Sequence, residues 1–155
     1  MRQLQILQAI VARLATIRVA NGYATDAGLR VSLGDAWPDE SPVPALTVHE
    51  GELVANGYGL VRSQGRAGTT GTKMRGEYTV EGIADCTTVA TYVAAHALIA
   101  DVKRALFVAG GLSFGMQAGD HKLEAHGVVP RAKGSNRVVV AVVGSYFYID
   151  EFSPI

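Results

Sequence analysis

Apolar residues recur every three or four positions at the start of the chain, and this spacing predicts an amphipathic helix over Arg2–Ala20. The predicted buried stripe consists of Leu4, Leu7, Ile10, Val11, Leu14 and Ile17. Glutamine, arginine and threonine side chains occupy the other faces of this helix. We expect the helix to end at Asn21-Gly22, because both residues tolerate the left-handed conformation common just beyond a helix.

A second helical pattern follows in the middle of the chain and runs to about Val108. Asp85, Thr87 and Thr88 are candidate N-caps, and Gly110-Gly111 would stop the helix. The predicted buried stripe consists of Val89, Tyr92, Val93, His96, Ile99, Val102 and Leu106. His96 is therefore predicted to be a core or interface histidine.

Alternation of apolar and polar residues predicts strands at 28–34, 45–53, 74–84, 123–129 and 137–150. The first two are predicted to be neighbours, joined by an exposed proline-bearing loop. In the last strand valines and an alanine occupy both faces between Val138 and Val143, so this strand is predicted to lie inside the sheet. Gly144 is predicted to mark a bulge or bend in it.

Residues 55–76 contain six glycines and basic residues but no acid, and few large apolar groups. This composition predicts a long mobile loop or a protruding hairpin. The order of elements then predicts an α+β fold with a small mixed, largely antiparallel sheet of four to five strands. Two helices are expected to pack on that sheet, and residues 1–155 are expected to form one domain.

The overall composition narrows the class of protein. Fourteen basic and fourteen acidic residues give no net charge, which disfavours a dedicated nucleic-acid binder. Cys86 is the one cysteine, so neither an intramolecular disulfide nor a cysteine metal cluster is possible. We find no signal-peptide pattern and no apolar run long enough to span a bilayer, so no membrane association is expected.

One catalytic motif matches literally, at Gly111–Gly115, where Ser113 fits the G-x-S-x-G pattern of a nucleophile elbow. That elbow requires a strand before the serine and a helix after it, whereas a helix is predicted before this one. Gly68–Lys73 departs from the P-loop spacing and leads into a predicted strand. The four histidines show no metal-ligand spacing. We therefore predict a protein that is not an enzyme and holds no cofactor or metal.

Charged residues are segregated between two neighbouring blocks. The acidic block contains Asp35, Asp39, Glu40, Glu50 and Glu52, with no lysine or arginine among them. The basic block contains Arg62, Arg66, Lys73 and Arg75, with no acid among them. Such blocks can pair copies of one chain around a ring, and two solvated loops without a partner explain the pattern equally well.

Three stretches of the sequence carry a resemblance to a known family. They are Ala20–Gly28 with the following Pro44-Ala45-Leu46, then Ala95–Leu106, and finally Gly134-Ser135-Asn136 with the alternating valines and Tyr146. Together they resemble the tail-terminator and minor tail proteins of long-tailed bacteriophages. The resemblance implies a structural protein that forms a ring, typically of six copies, at the head-proximal end of the tail in the virion, after assembly in the host cytoplasm.

In that family the ring caps the tail tube, ends its polymerisation and presents a docking surface to the head-tail connector or head-closure protein. DNA would pass through the lumen without sequence-specific binding. Under this interpretation, Arg62, Arg66, Lys73 and Arg75 contact acidic residues on a neighbouring subunit or on the tube protein. A tail-completion or head-closure protein is the nearest alternative, and a small-ligand or nucleic-acid-binding domain is a more distant one.

Overall fold

The computed structural model describes residues 2–38, 41–62, 70–85, 91–108, 119–130 and 135–151, with the backbone alone described for 2, 52–62, 70–73, 91, 119–120 and 150–151. The main elements are α1 (Arg2–Leu14), β1 (Val31–Leu33), β2 (Ala45–Arg62), β3 (Thr70–Asp85), α2 (Thr91–Lys103), β4 (Gly119–Val128) and β5 (Arg137–Glu151). Short 3₁₀ turns lie at Val19–Asn21 and Ala27–Leu29, and a π turn at Arg104–Val108 continues α2.

The five strands form one sheet in the order β1-β2-β3-β5-β4. β1 is parallel to β2, and the other three pairs are antiparallel. The predicted α+β class and the mixed, largely antiparallel sheet are therefore confirmed. The last strand lies between β3 and β4, inside the sheet, as its two-sided apolar pattern predicted.

Both helices pack on the same face of the sheet and build one hydrophobic core with it. Ile6, Ile10 and Leu14 of α1 are completely buried there. Even-numbered residues of β3 and β5, such as Val80 and Val142, point to the helices because side chains alternate along a strand. Burial of each such side chain contributes roughly 1.5–3 kcal/mol, so these contacts hold the helices on the sheet.

Two tyrosines of the core lie over glycines of the adjacent strand. Tyr78 of β3 is opposite Gly144 of β5, and Tyr146 of β5 is opposite Gly76 of β3. A Cβ atom at Gly144 would lie 2.5 Å from Cζ of Tyr78, and one at Gly76 would lie 2.5 Å from Cζ of Tyr146. The glycines thus provide the space in which the rings lie flat on the sheet.

Gly144 does not mark a bulge in its own strand, contrary to the prediction. β5 keeps a continuous register with β3 from Arg137 to Glu151. The irregularity near Gly144 is in its pairing with β4, where the register shifts between Leu123 and Ala125. A glycine is needed at 144 to admit the Tyr78 ring, which is a requirement of packing rather than of backbone curvature.

The first helix ends at Leu14, earlier than predicted. The Thr16 hydroxyl donates to the carbonyl of Arg13 at 2.6 Å, and the Asn21 amide donates to the carbonyl of Thr16 at 2.9 Å. These bonds satisfy carbonyls that a continuing helix would have used. Gly22, at φ +87°, closes the following 3₁₀ turn instead of α1 itself.

The buried stripe of α2 agrees with the predicted one at Ile99, Val102 and Leu106 and differs from it in the first half of the helix. Tyr92, Val93 and His96 are exposed, so His96 is not a core histidine, and Val89 lies outside the described residues. The buried residues are Ala95, Leu98, Ile99, Val102, Ala105 and Leu106. Leu98 packs over Gly82 of β3, where a Cβ atom would lie 2.7 Å from the leucine side chain. Close approach of the helix to this glycine selects the observed phase.

Much of the glycine-rich segment is paired strand. β2 continues to Arg62 and β3 starts at Thr70, and these two residues are partners in the antiparallel register. Residues 55–62 and 70–76 therefore form the two arms of a hairpin. For these residues the hairpin alternative of the prediction is confirmed and the loop alternative is wrong. Residues 63–69, between the arms, lie outside the described part of the chain.

Candidate assembly interface

The predicted acidic block is divided in the structure. The side chain of Glu50 accepts a hydrogen bond from Gln3 of α1, which places it on the helix side of the sheet. Asp35 is exposed, and its backbone carbonyl accepts hydrogen bonds from Ser32 at 2.5 Å and Thr47 at 3.2 Å. Asp39 and Glu40 lie outside the described residues, and the side chain of Glu52 is not described.

In the basic block, Arg75 is already engaged by carboxylates of its own chain. Nη1 donates to Oε1 of Glu77 at 2.7 Å, and Nη2 donates to Oε1 of Glu124 at 3.1 Å. The hydrogen bond to Glu77 is the main cause of a raised Arg75 pKa. The backbones of Arg62 and Lys73 lie in β2 and β3, whereas Arg66 lies outside the described residues.

Glu124 joins strands β4, β3 and β5 through its carboxylate. The hydroxyl of Ser145 donates to Oε1 of Glu124 at 2.6 Å, the same atom that Arg75 contacts. The Ser145 hydrogen bond, followed by Arg75, lowers the pKa of Glu124. These bonds hold the charged groups against the sheet on the face away from the helices, which we term the open face.

The acidic and basic candidates do not form one patch. Glu50 contacts α1 on the helix side, while Arg75 lies on the open face with Glu77 and Glu124. Since the sheet separates them, the structure does not bring Glu50 and Arg75 together. Pairing of the two blocks remains a prediction about contacts between different subunits.

The open face has a polar half and an apolar half. On β3 it carries Arg75, Glu77, Thr79 and Glu81, whose alternation matches the sequence prediction. Between Val139 and Val143 of β5 and between Ala125 and Gly127 of β4 it carries small or apolar residues, of which Val139, Ala141 and Val143 are partly exposed and Ala125 and Gly127 are exposed. A cavity of about 270 Å³ lies over this apolar half.

A second feature of the molecule joins two stretches that carry the family resemblance. The buried carboxylate of Asp101 in α2 accepts hydrogen bonds from the backbone N–H groups of Ala24 and Thr25, at 3.1 and 2.8 Å, and from the Thr25 hydroxyl at 2.8 Å. One turn later, Arg104 donates to the carbonyl of Gly22 at 2.7 Å and stacks on Tyr23 at 4.5 Å.

Sequence reasoning missed this junction, because the two stretches are about 75 residues apart along the chain. The available signal was the charged Asp101 within the otherwise apolar run Ala97–Val102. A buried carboxylate needs hydrogen-bond donors, and exposed N–H groups after a short helix supply them. The junction fixes the connection after α1 against α2.

Three of the histidines have defined surroundings that differ from one another. The His121 ring is stacked between Tyr78 and Phe107, with centroid distances of 5.7 and 4.6 Å, and it hydrogen-bonds the Tyr78 hydroxyl. Burial lowers the pKa of His121 to about 4. His49 lies 3.7 Å from Glu81, and His126 is exposed 3.5 Å from Lys103. Among the described residues no group of three potential metal ligands converges.

Ser113 of the G-x-S-x-G motif and the single cysteine, Cys86, lie outside the described residues. The elements on either side of the Ser113 motif are nevertheless defined, since the helical π turn ends at Val108 and strand β4 begins at Gly119. This is a helix-to-strand connection, the reverse of the order that a nucleophile elbow requires. Within the described part of the chain, no helix is long and apolar enough to cross a membrane.

A further cavity of about 410 Å³ lies between the 3₁₀ turns, the end of β3 and α2. Its walls are mainly apolar, from Val19, Leu29 and Leu98, and Asp26 and Arg30 also line it. Asp85 is a third charged lining residue. Asp26 accepts a hydrogen bond from the Val19 N–H at 2.9 Å, and Arg30 donates to the Pro44 carbonyl at 3.0 Å. Asp26 and Arg30 therefore serve the local fold.

Comparison with known proteins identifies the fold. No protein-family model and no curated protein sequence matches the chain. Among solved structures, the chain is similar to one described as "Virion of native gene transfer agent (GTA) particle". The TM-score is 0.55 and the identity 17%, over 92% of this chain and 93% of that one. At this identity the likeness shows a shared fold.

Proposed function

We propose that this protein is a structural virion component that forms a ring on the tail tube, ends tube polymerisation and docks the head connector. The observation that carries the proposal is the likeness in fold, over nearly the full length of both chains, to a chain of a gene transfer agent virion. The resemblance of Ala20–Gly28 and Ala95–Leu106 to tail-terminator proteins supports the same role, and the Asp101 junction ties these two stretches into one unit.

The distribution of side chains on the open face supports assembly with other proteins. An antiparallel sheet that remained exposed to water would carry polar residues on its outer face. The apolar half instead presents Val139, Ala141 and Val143, which a partner would cover, beside the ion-paired Arg75. The partners under this proposal are further copies of the chain, the tail tube protein and the head-tail connector, with DNA passing through the lumen.

Electron microscopy of negatively stained, purified protein tests the ring. We expect rings of one diameter, and we expect the protein to sit at one end of tubes when it is mixed with the tail tube protein of the same phage. A protein that stays monomeric at all concentrations and leaves tube lengths unchanged would contradict the proposal.

Length control separates a terminator from a tail-completion or head-closure protein. Without a terminator, tubes continue to polymerise and become overlong, whereas loss of a head-side closure protein leaves tails of normal length. We expect overlong tubes when the gene is inactivated, and restored length when it is supplied again. Tails of normal length that fail to join heads would assign the protein to the head-closure class.

The basic block is tested by charge reversal of Arg62 and Lys73 to glutamate, with Arg66 added in an extended variant. Arg75 is left unchanged, because its reversal would place three carboxylates together with Glu77 and Glu124. The control reverses the exposed Arg18, on the connection after α1, and leaves Lys122 unchanged because it lies beside Glu124. We expect the first variant to lose tail attachment while folding normally; equal attachment by both variants would remove the basic block from the interface.

A further inference from the structure

We propose that the second half of strand β4, residues 125–129, takes up a strand from a second copy of this chain. The proposal rests on the ring proposed above and names the contact that would build it. β4 is an edge strand of the sheet, and β5 is its one strand neighbour in the described part of the chain. Its outer side therefore presents backbone N–H and C=O groups that an added strand can pair.

The direction of these backbone groups follows from one hydrogen bond. The N–H of Val129 donates to the carbonyl of Val139 at 2.8 Å, so residue 129 points its backbone groups toward β5. In an antiparallel ladder the direction alternates from residue to residue. Ala125 and Gly127 therefore also face β5, and the backbone groups of His126 and Val128 face outward.

The two halves of β4 differ in the features that normally protect a sheet edge. The first half carries charged Lys122 and Glu124, and its register with β5 is irregular between Gly119 and Lys122 and between Leu123 and Ala125. Charges and bulges of this kind discourage pairing with another strand. From Ala125 to Val128 the register is regular, and His126 is the one titratable residue. Among the described residues, no charge or bulge of this kind protects this half of the edge.

The cavity over the apolar half indicates what an added strand should carry. Ala125, Gly127 and Val129 line it together with Ala141 and Val143, and its volume of about 270 Å³ is large enough for an aromatic or aliphatic side chain. An incoming strand with a large apolar side chain would fill it. Pro130 lines the end of the cavity, where a missing N–H limits further pairing.

The chain itself carries a suitable second edge. β1 pairs with β2 over Leu46–Val48 only, and beyond this the described residues place no strand on the outer side of β2. That stretch of β2 contains large apolar residues in its sequence, including Leu53, Tyr58 and Leu60. Because the two edges lie at opposite ends of one sheet, pairing between them is head-to-tail and can close a ring.

The experiment compares His126→Pro with His126→Ala in the full-length protein. Proline removes an N–H that faces outward and leaves the bonds to β5 in place, whereas alanine removes the same side chain and keeps the N–H. We expect the wild type and His126→Ala to sediment as rings and His126→Pro to sediment as a monomer. Circular dichroism should show that all three are folded.

A second variant, Gly127→Glu, keeps the conclusion independent of proline. No atom lies within 4 Å of a Cβ built at Gly127, so the glutamate is accommodated in the monomer while placing a charge beside the cavity. It too should lose assembly. Rings that persist in both variants would overturn the edge contact and leave the proposed ring standing. If the wild type is a dimer and both variants are monomers, the edge contact is supported and the ring is contradicted. A wild type that never self-associates would contradict both the edge contact and the ring.

Discussion

The helix-covered face and the open face of the sheet are made by the same strands, yet different interactions stabilise them. The helix-covered face is filled with completely buried side chains such as Tyr78, Val142 and Tyr146. The open face combines the charged group around Arg75 with the partly exposed valines of β5. In β5 the alternation of apolar residues is similar on both faces, but the helices cover one of them.

The two faces of the sheet are therefore under different packing constraints. Close packing makes the helix-covered face sensitive to changes of a single carbon atom. The open face has room for such changes, and its apolar residues are available for contact with another chain. Substitutions on the two faces should therefore have unequal effects on the free energy of unfolding.

The largest contrast is expected between Gly144→Ala and Gly127→Ala. At Gly144 the new Cβ would lie 2.5 Å from the Tyr78 ring, whereas at Gly127 it meets no atom within 4 Å. We expect Gly144→Ala to lower the free energy of unfolding by about 3 kcal/mol, and Gly127→Ala to change it by less than about 0.5 kcal/mol. Urea titration of the monomer measures both, and equal effects would mean that the packing of Tyr78 does not require a glycine.

Removal of the buried carboxylate in Asp101→Ala should destabilise the monomer by about 2 kcal/mol, because the N–H groups of Ala24 and Thr25 lose their acceptor. Asp26→Ala is the matched control, since Asp26 accepts one bond from an exposed N–H, that of Val19. Thermal unfolding of both variants tests the difference. If Asp26→Ala were as destabilising as Asp101→Ala, the junction would have no special role.

His121 should make the helix-covered side sensitive to acid. Burial lowers the pKa of His121 from its ordinary value of 6.5 to about 4 in the folded protein. Between these two pH values the unfolded chain therefore binds a proton at His121 that the native protein does not. Stability should be constant above pH 6.5 and fall as the pH drops toward 4. Because the ring is not fully buried, we expect a loss on the order of 1 kcal/mol.

The variant His121→Phe keeps an aromatic ring between Tyr78 and Phe107 and has no group that titrates. Its free energy of unfolding should depend less on pH between 6.5 and 4 than that of the wild type. Urea titrations at several pH values measure this. The control is His126→Phe, because His126 is a solvent-exposed histidine of the same strand. Parallel pH profiles for the wild type and His121→Phe would rule out the proposed linkage.

Arg75→Ala should have the smallest effect of the four on monomer stability. The arginine is bound to Glu77 and Glu124, but these pairs are solvent-accessible and are screened by salt. We expect a slight decrease in the urea midpoint at low salt that disappears in high salt. A large decrease that persists in high salt would show that the open face is as tightly constrained as the helix-covered one.

Local patterns were enough to predict the architecture of this chain. The period of Leu7, Ile10 and Leu14 predicted α1, and the uninterrupted valines of 138–143 predicted the interior strand. The length of the β2–β3 hairpin was not predictable in this way. Its glycines weaken the strand signal, and pairing with β5 from Gly71 onward stabilises an extended conformation that the residues do not favour on their own.

The candidate interface was predicted less well than the fold. The charge pattern put Arg75 in the basic block, but it did not predict that Arg75 binds Glu77 on its own strand and Glu124 on β4, 49 residues away. The predicted α2 stripe was right at Ile99, Val102 and Leu106 but wrong in the first half of the helix, because Tyr92 and Val93 are as apolar in sequence as the residues that are buried. The close approach of Leu98 to Gly82 is a contact between elements that no local pattern contains.

Local sequence patterns were sufficient to place the two helices and the five strands in outline, though not the end of α1 or the length of the β2–β3 hairpin, and to show that β5 has two apolar faces. These features follow from the period of side chains along a regular backbone. The tertiary structure decided which face the helices cover, that Gly76 and Gly144 lie under tyrosine rings, and that Asp101 holds the connection after α1. These features depend on residues far apart in the chain meeting in one register. That register is set by packing across the whole sheet, which no local pattern contains.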